Sequence, residues 1–205
     1  MAGPGKGSDV PSLLKPLTVA SVIYCSDCHS SEAAGGPRGP HGSIYPKLLS
    51  AQLSTLDGTP ESASAYALCY RCHSREVLLS DASAFNQHQS HVTGVQPDRR
   101  ALPAAPCTAC HNPHGVSRLF GNATNNAHLI DFDTGIVKPN AAGLLEYQAA
   151  GARSGSCALS CHGVEHTHAR SAYSAAPPSA LRALQLRQPG TVRGPATPAP
   201  PRGKR

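Results

Sequence analysis

The chain has 205 residues, with 19 Gly and 19 Pro against six Tyr, three Phe and no Trp, so the large side chains of a conventional core are nearly missing while turn formers abound. Its formal charge of +6 sits in residues 171–205, where Arg182, Arg187, Arg193, Arg202, Lys204 and Arg205 stand without an acid, while residues 1–170 carry 12 basic and 12 acidic residues. A neutral body without interleaved aromatics excludes a nucleic-acid face, and no run approaches the roughly 18 apolar residues of a membrane-spanning helix.

Residues 1–20 read as a flexible N-terminal segment. Residues 1–9 are Gly-rich and polar, and the apolar pieces Leu13–Leu14 and Val19–Tyr24 are short and separated by Lys15 and Pro16. No charged region leads into a continuous apolar run and a small-residue cleavage site, so no secretory signal is visible. Residues 21–170 follow as one Cys- and His-rich domain, in which apolar residues at three- and four-residue spacings predict helices over Ile44–Leu56 and Ala63–Glu76. Residues 171–205 form a basic Pro/Ala/Arg-rich tail with too little apolar surface to offset chain entropy, and are expected to be disordered.

The eight cysteines fall into four close pairs, each with a histidine directly after the second: Cys25-Ser26-Asp27-Cys28-His29, Cys69-Tyr70-Arg71-Cys72-His73, Cys107-Thr108-Ala109-Cys110-His111 and Cys157-Ala158-Leu159-Ser160-Cys161-His162. C-x-x-C-H is the attachment signature of c-type haem: two thiols add across the vinyl groups of one porphyrin edge and the adjacent imidazole turns under the iron. Zinc sites use paired cysteines without requiring that histidine, and close pairs are more often metal-binding or redox-active than structural disulfides. With 11 His in the chain, four such coincidences arise by chance on the order of once in a hundred thousand. Four haem c groups, each a flat apolar body, would supply the missing core. The expected fold is therefore mostly irregular with short α-helices bearing the motifs, a haem-packed multihaem cytochrome c core and little β.

Seven further histidines remain: His41, His88, His91, His114, His128, His166 and His168. The only methionine is Met1, so the irons are expected to be ligated by two histidines each. A histidine three or four residues after its own motif cannot pass round the porphyrin edge, which removes His114 from the haem of His111 and His166 from that of His162. Chain reach assigns His41 to haem 1, one of His88 and His91 to haem 2 with the other serving a neighbour, and His128 to haem 3. Haem 4 must then borrow its sixth ligand, from His114, from the unused His88/His91 member or from another molecule.

These residues resemble the multihaem c-type cytochromes with doubled C-x-x-C-H motifs. The run Cys107-Thr108-Ala109-Cys110-His111-Asn112-Pro113-His114-Gly115, the segment Gly39-Pro40-His41-Gly42-Ser43, the pair His88/His91, the stretch His128-Leu129-Ile130-Asp131-Phe132-Asp133 and Cys161-His162-Gly163 are similar to secreted tetrahaem and larger cytochromes of metal-respiring bacteria. The resemblance spans about residues 20–170. It implies a periplasmic or extracellular place, other redox proteins as partners, and self-assembly into haem-stacked oligomers or filaments. Haem is attached outside the cytoplasm in such proteins, so the sequence is expected to be truncated, mis-started or a piece of a longer cytochrome. The expected function is electron transfer without catalysis; the alternative is a multihaem reductase with one open-faced iron acting on a small oxyanion such as nitrite.

Overall fold

In the computed structural model, which describes residues 10–36, 39, 41–115 and 127–175, every helix is a single turn or little more. The helices are α1 (Cys25–Cys28), α2 (Ala67–Tyr70), α3 (Arg75–Leu78), α4 (His88–Thr93) and α5 (Cys107–Cys110), with 3-10 turns at Pro46–Leu48 and Ala127–Leu129. Four antiparallel strands close the described chain: β1 (Glu146–Gly151), β2 (Ser154–Cys161), β3 (Val164–His166) and β4 (Tyr173–Ser174), with β2 pairing all three others.

The chain is mostly irregular with short helices, as expected, and this one small sheet is the β structure among the described residues. The expected helix over Ile44–Leu56 is reduced to Pro46–Leu48, because Lys47 (φ 60°) and Leu48 (φ 54°) enter the left-handed region, where a right-handed helix cannot continue. The expected helix over Ala63–Glu76 is split into α2 and α3, because His73 leaves the helical path to form an antiparallel bridge with Leu13. Residues 12–14, expected to be flexible, are docked: Leu14 N–H donates to the Cys72 carbonyl at 2.9 Å and Ser74 N–H to the Ser12 carbonyl at 2.7 Å. The expected disorder of the tail concerns residues that, beyond Ala175, lie outside the described ones.

Small side chains make the core. Ala105, Ala109, Val137 and Leu159 pack together, joined by Cys110, Phe132, Ile136, Leu145, Cys157 and Cys161, so that α5 is pressed against one face of β2. Large apolar residues lie outside it: Val22, Ile23 and Tyr24 ahead of α1 are 55%, 53% and 66% exposed, and Ile44 is 78% exposed. Transfer of such surface from water is worth about 25 cal/mol per Å². The protein alone therefore leaves much of the available hydrophobic stabilisation unused around the first motif.

Gly94 ends α4 with φ 71°, and its carbonyl accepts from Leu102 N–H at 2.8 Å. A Cβ there would lie 2.2 Å from the Leu102 carbonyl oxygen, so the backbone itself must move. Gly94→Ala should therefore cost about 2–4 kcal/mol, combining left-handed strain with a lost turn. Thermal unfolding of the haem-loaded protein checks this; a variant with unchanged midpoint would contradict the packing described.

Candidate haem-binding sites

The first three motifs share one local design. In each, the histidine N–H donates to the carbonyl of the first cysteine, His29 to Cys25 at 2.7 Å, His73 to Cys69 at 3.0 Å and His111 to Cys107 at 3.0 Å. That bond closes one helical turn and brings the first cysteine and the histidine onto the same face. The backbone turns extended at the histidine in α1 and α5, with φ/ψ of −103°/95° and −109°/130°.

A strap then docks on each turn. Leu49 bridges His29, Leu13 bridges His73 and Ile130 bridges His111, all antiparallel. The carbonyl of each second cysteine accepts from the strap: Ser50 N–H to Cys28 at 2.8 Å, Leu14 N–H to Cys72 at 2.9 Å and Asp131 N–H to Cys110 at 2.9 Å. The strap also grips the imidazole. Nδ1 of His29 donates to the Lys47 carbonyl at 2.9 Å and Nδ1 of His111 to the His128 carbonyl at 2.8 Å, while Ser12 Oγ lies 2.9 Å from His73 Nδ1. A carbonyl only accepts, so in His29 and His111 the proton is on Nδ1 and the lone pair on Nε2, the arrangement of a metal-ligating histidine. Lys47 and His128 occupy the same strap position, both left-handed, at φ 60° and 59°.

Two motif histidines face a second imidazole. The His29 and His114 ring centroids are 6.0 Å apart with planes at 9°, and those of His111 and His88 are 6.2 Å apart with planes at 38°. An iron between two imidazoles sets the centroids about 6 Å apart, since each nitrogen lies about 2 Å from the metal and about 1.1 Å from its ring centre. A third pair, His91 and His166, has the same 6.2 Å separation at 37°.

These pairs differ from the reach-based assignments. The ring opposite His29 is His114, not His41. His88 faces His111 of the third motif instead of closing the second. His128 supplies His111 with a backbone carbonyl while its own ring stands edge-on to Tyr147 at 6.2 Å. Among the described residues, His73 and His162 face no second imidazole at this separation. His168 is held at both nitrogens, by Ser156 Oγ at 2.8 Å and Glu146 Oε1 at 2.7 Å. Linear chain reach counts residues to a ring but cannot see that the His111–His114 segment crosses to the first motif.

Burial lowers the pKa of His73, His91, His111, His128 and His166, and takes that of His88 down to about 3, with the neighbouring histidines pushing His88 the same way. Desolvation disfavours imidazolium, so these rings are neutral at pH 7. The cysteines link the motifs in order. Arg71 donates to the Asp27 carbonyl at 3.2 Å between motifs 1 and 2, the Cys69 and Cys107 thiols are neighbours between motifs 2 and 3, and Cys110, pushed up to about 12 by burial, lies beside Cys157 and Cys161 of motif 4.

The fourth motif is built differently. Its cysteines lie on extended β2, where four residues span about 13 Å, against the single turns that carry the other pairs. The expectation of a helix at this motif is corrected accordingly: Cys161 pairs with Val164, leaving His162 and Gly163 as a two-residue hairpin turn with φ 51° and 74°. Positive φ at both positions is the twist-matched turn for joining antiparallel strands.

The first three motifs fit covalent haem. Each offers two thiols and an imidazole on one turn, and the exposed apolar residues around α1 await an apolar partner. Tyr66 Oη and Thr108 Oγ1 are buried with no hydrogen-bond partner among the described residues. A buried unpaired hydroxyl costs about 1–3 kcal/mol, and haem carboxylates are acceptors of the kind they lack.

The doubled CXXCH motif family matches residues 15–78, which contain the first two motifs and the strap of the first. The match supports a relationship with multihaem c-type cytochromes, and with them haem binding and electron transfer. No curated protein and no solved structure matches the chain. Among the described residues no helix is long and apolar enough to cross a membrane.

Proposed function

We propose that this chain is an electron-transfer relay, not an enzyme, bearing four covalent c-type haems that fill its interior, most of them ligated by two histidines, and working in the periplasm or outside the cell between other redox proteins. The observation that carries this reading is the pairing of motif histidines with histidines of other segments, His29 with His114 and His111 with His88, at the separation of two ligands on one iron.

Bound haem would supply one-electron exchange at iron. The polypeptide's part is to hold that iron without reorganisation: the straps fix the His29 and His111 tautomers, and burial keeps the His111 and His88 rings neutral. Two strong ligands leave no face for a substrate, so electrons pass without bonds being made. The sulfur contacts running from motif 2 through motif 3 to motif 4, with His114 returning to motif 1, support close spacing of all four groups. A reductase reading draws on His73, whose ring faces no second imidazole among the described residues. Carbon monoxide added to the reduced protein discriminates: a relay gives little or no spectral change, whereas a fully developed adduct at one haem in the intact assembly favours the reductase.

A pH consequence follows from burial. The neutral form of each lowered histidine is favoured in the fold, while a released imidazole takes a proton near 6.5. Stability from these groups is fully present above that value and is lost as pH falls toward the depressed folded values, reaching about 3 for His88. The low-spin absorption of the oxidised protein should thus be constant between about pH 7 and 9 and convert to high spin only on acidification below about 6.5. Conversion on raising the pH through that range would have the wrong sign.

A further inference from the structure

We infer that Phe85, Tyr173 and Tyr147 form an aromatic bridge that joins the two axial ligands of the third haem, His88 and His111, and fixes the angle between their imidazole planes. On the haem reading above, these three are positioning residues, acting on the iron through its ligands.

The bridge begins in the register of the sheet. β1 and β4 flank β2, with Tyr147 opposite Cys157 and Tyr173 opposite Gly155. Residues 155 and 157 lie on one face of the strand, so both tyrosines stand on that face. Gly155 puts no side chain between them, and the two hydroxyls meet at 2.9 Å. A Cβ on Gly155 would lie 2.6 Å from the Tyr147 hydroxyl, so glycine keeps this gap open.

From that joint two arms run to opposite ligands. On one side the Tyr147 ring meets the His128 ring edge-on at 6.2 Å, and the His128 carbonyl accepts from His111 Nδ1 at 2.8 Å. On the other, Tyr173 packs edge-on against Phe85 at 4.8 Å, and Phe85 packs edge-on against His88 at 5.1 Å with planes at 84°. Phe85 also lies 5.4 Å from His91, one turn along α4. Edge-to-face pairs hold their angle because the positive edge of one ring stays over the negative face of the next. One hydroxyl-to-hydroxyl bond therefore couples the orientation of both ligands. The His29/His114 pair is built without such a bridge: among the described residues no other aromatic ring packs on either, and its planes lie at 9° where those of His88 and His111 lie at 38°.

The test uses the full chain matured with covalent haem and the electron paramagnetic resonance of its oxidised form, in which the anisotropy of a low-spin signal follows the angle between the two imidazole planes. His88→Ala identifies the signal in question by removing it. Tyr173→Phe strands the hydroxyl of Tyr147, a residue only 3% exposed, and should lower the thermal midpoint and shift that signal while the His29 haem keeps its own. Adding Tyr147→Phe replaces both partners by apolar groups of the same shape, so most of the stability should return. The signal should stay shifted by about as much as in the single variant, because both proteins lack the same bond. A signal unchanged in both variants, or one that returns to its wild-type position together with the stability, would overturn the bridge. Persistence of every low-spin signal in His88→Ala would instead overturn the pairing of His88 with His111 that carries the haem reading.

Discussion

His114→Ala should convert the haem tethered at Cys25 and Cys28 to a high-spin, carbon monoxide-binding form while the haem at Cys107 and Cys110, whose His111 is only three residues from His114, keeps its low-spin spectrum. The reason is directional. His111 ends α5 extended, and Asn112 N–H donates to the Leu129 carbonyl at 2.9 Å, which carries the chain off the turn. Asn112 Oδ1 then accepts from His114 N–H at 3.1 Å and Gly115 N–H donates to the Asn112 carbonyl at 3.0 Å, forming a tight turn that delivers the His114 ring nearly parallel to that of His29. His111 keeps its partner His88. Loss of one of two axial ligands is an all-or-none change at that iron, so about one quarter of the haem absorbance should respond. Conversion of the Cys107/Cys110 haem instead would contradict the pairing, and conversion after His41→Ala with none after His114→Ala would restore the assignment from chain reach.

Arg153→Ala should cause a large loss of stability together with a change at a haem it does not touch. The guanidinium is buried and donates to the carbonyls of Ala82 at 3.1 Å, Ser83 at 2.7 Å and Ala175 at 3.1 Å, clamping the β1–β2 turn to the loop before α4 and to the end of β4. Ser83 Oγ in turn lies 2.7 Å from His88 Nδ1. Removing the donor strands buried carbonyls, and bonds to a charged group are worth about 1.5–3 kcal/mol each, so a net loss of about 3–5 kcal/mol is expected. Thermal unfolding should drop by about 6–20 °C, at 2–4 °C per kcal/mol for a domain of this size. Because His88 loses its orienting serine, the haem ligated by His111 should also become partly high-spin. A stable variant with an intact spectrum would show that Arg153 is dispensable to both.

The amino-acid pattern made the four motifs legible, and with them the first three helical turns, because C-x-x-C-H is a local signal whose geometry one turn satisfies. The straps were not legible. Ser12-Leu13-Leu14, Lys47-Leu48-Leu49-Ser50 and His128-Leu129-Ile130-Asp131 share a pair of apolar residues behind a residue that faces the imidazole, but what they give is mostly backbone carbonyls and N–H groups, which every residue carries. Lys47 serves in this place without any imidazole, which explains why His128 reads as a ligand in the sequence and acts through its carbonyl in the fold. The fourth motif misled for another reason. One extra residue between its cysteines looks like a longer loop, yet Gly155 allows close approach of β1, where a Cβ would lie 2.6 Å from the Tyr147 hydroxyl, and His162-Gly163 closes a hairpin, so the segment is a strand. Partners across space, such as His29 with His114, depend on how segments dock and leave no trace in residue spacing.

The intact mass of the full chain, produced in a cell with complete c-type haem maturation, counts the covalent haems. The expected mass is that of the polypeptide plus four porphyrins, retained under denaturing conditions because each is held by thioether bonds. A bare polypeptide, or one carrying fewer than three porphyrins, would contradict it.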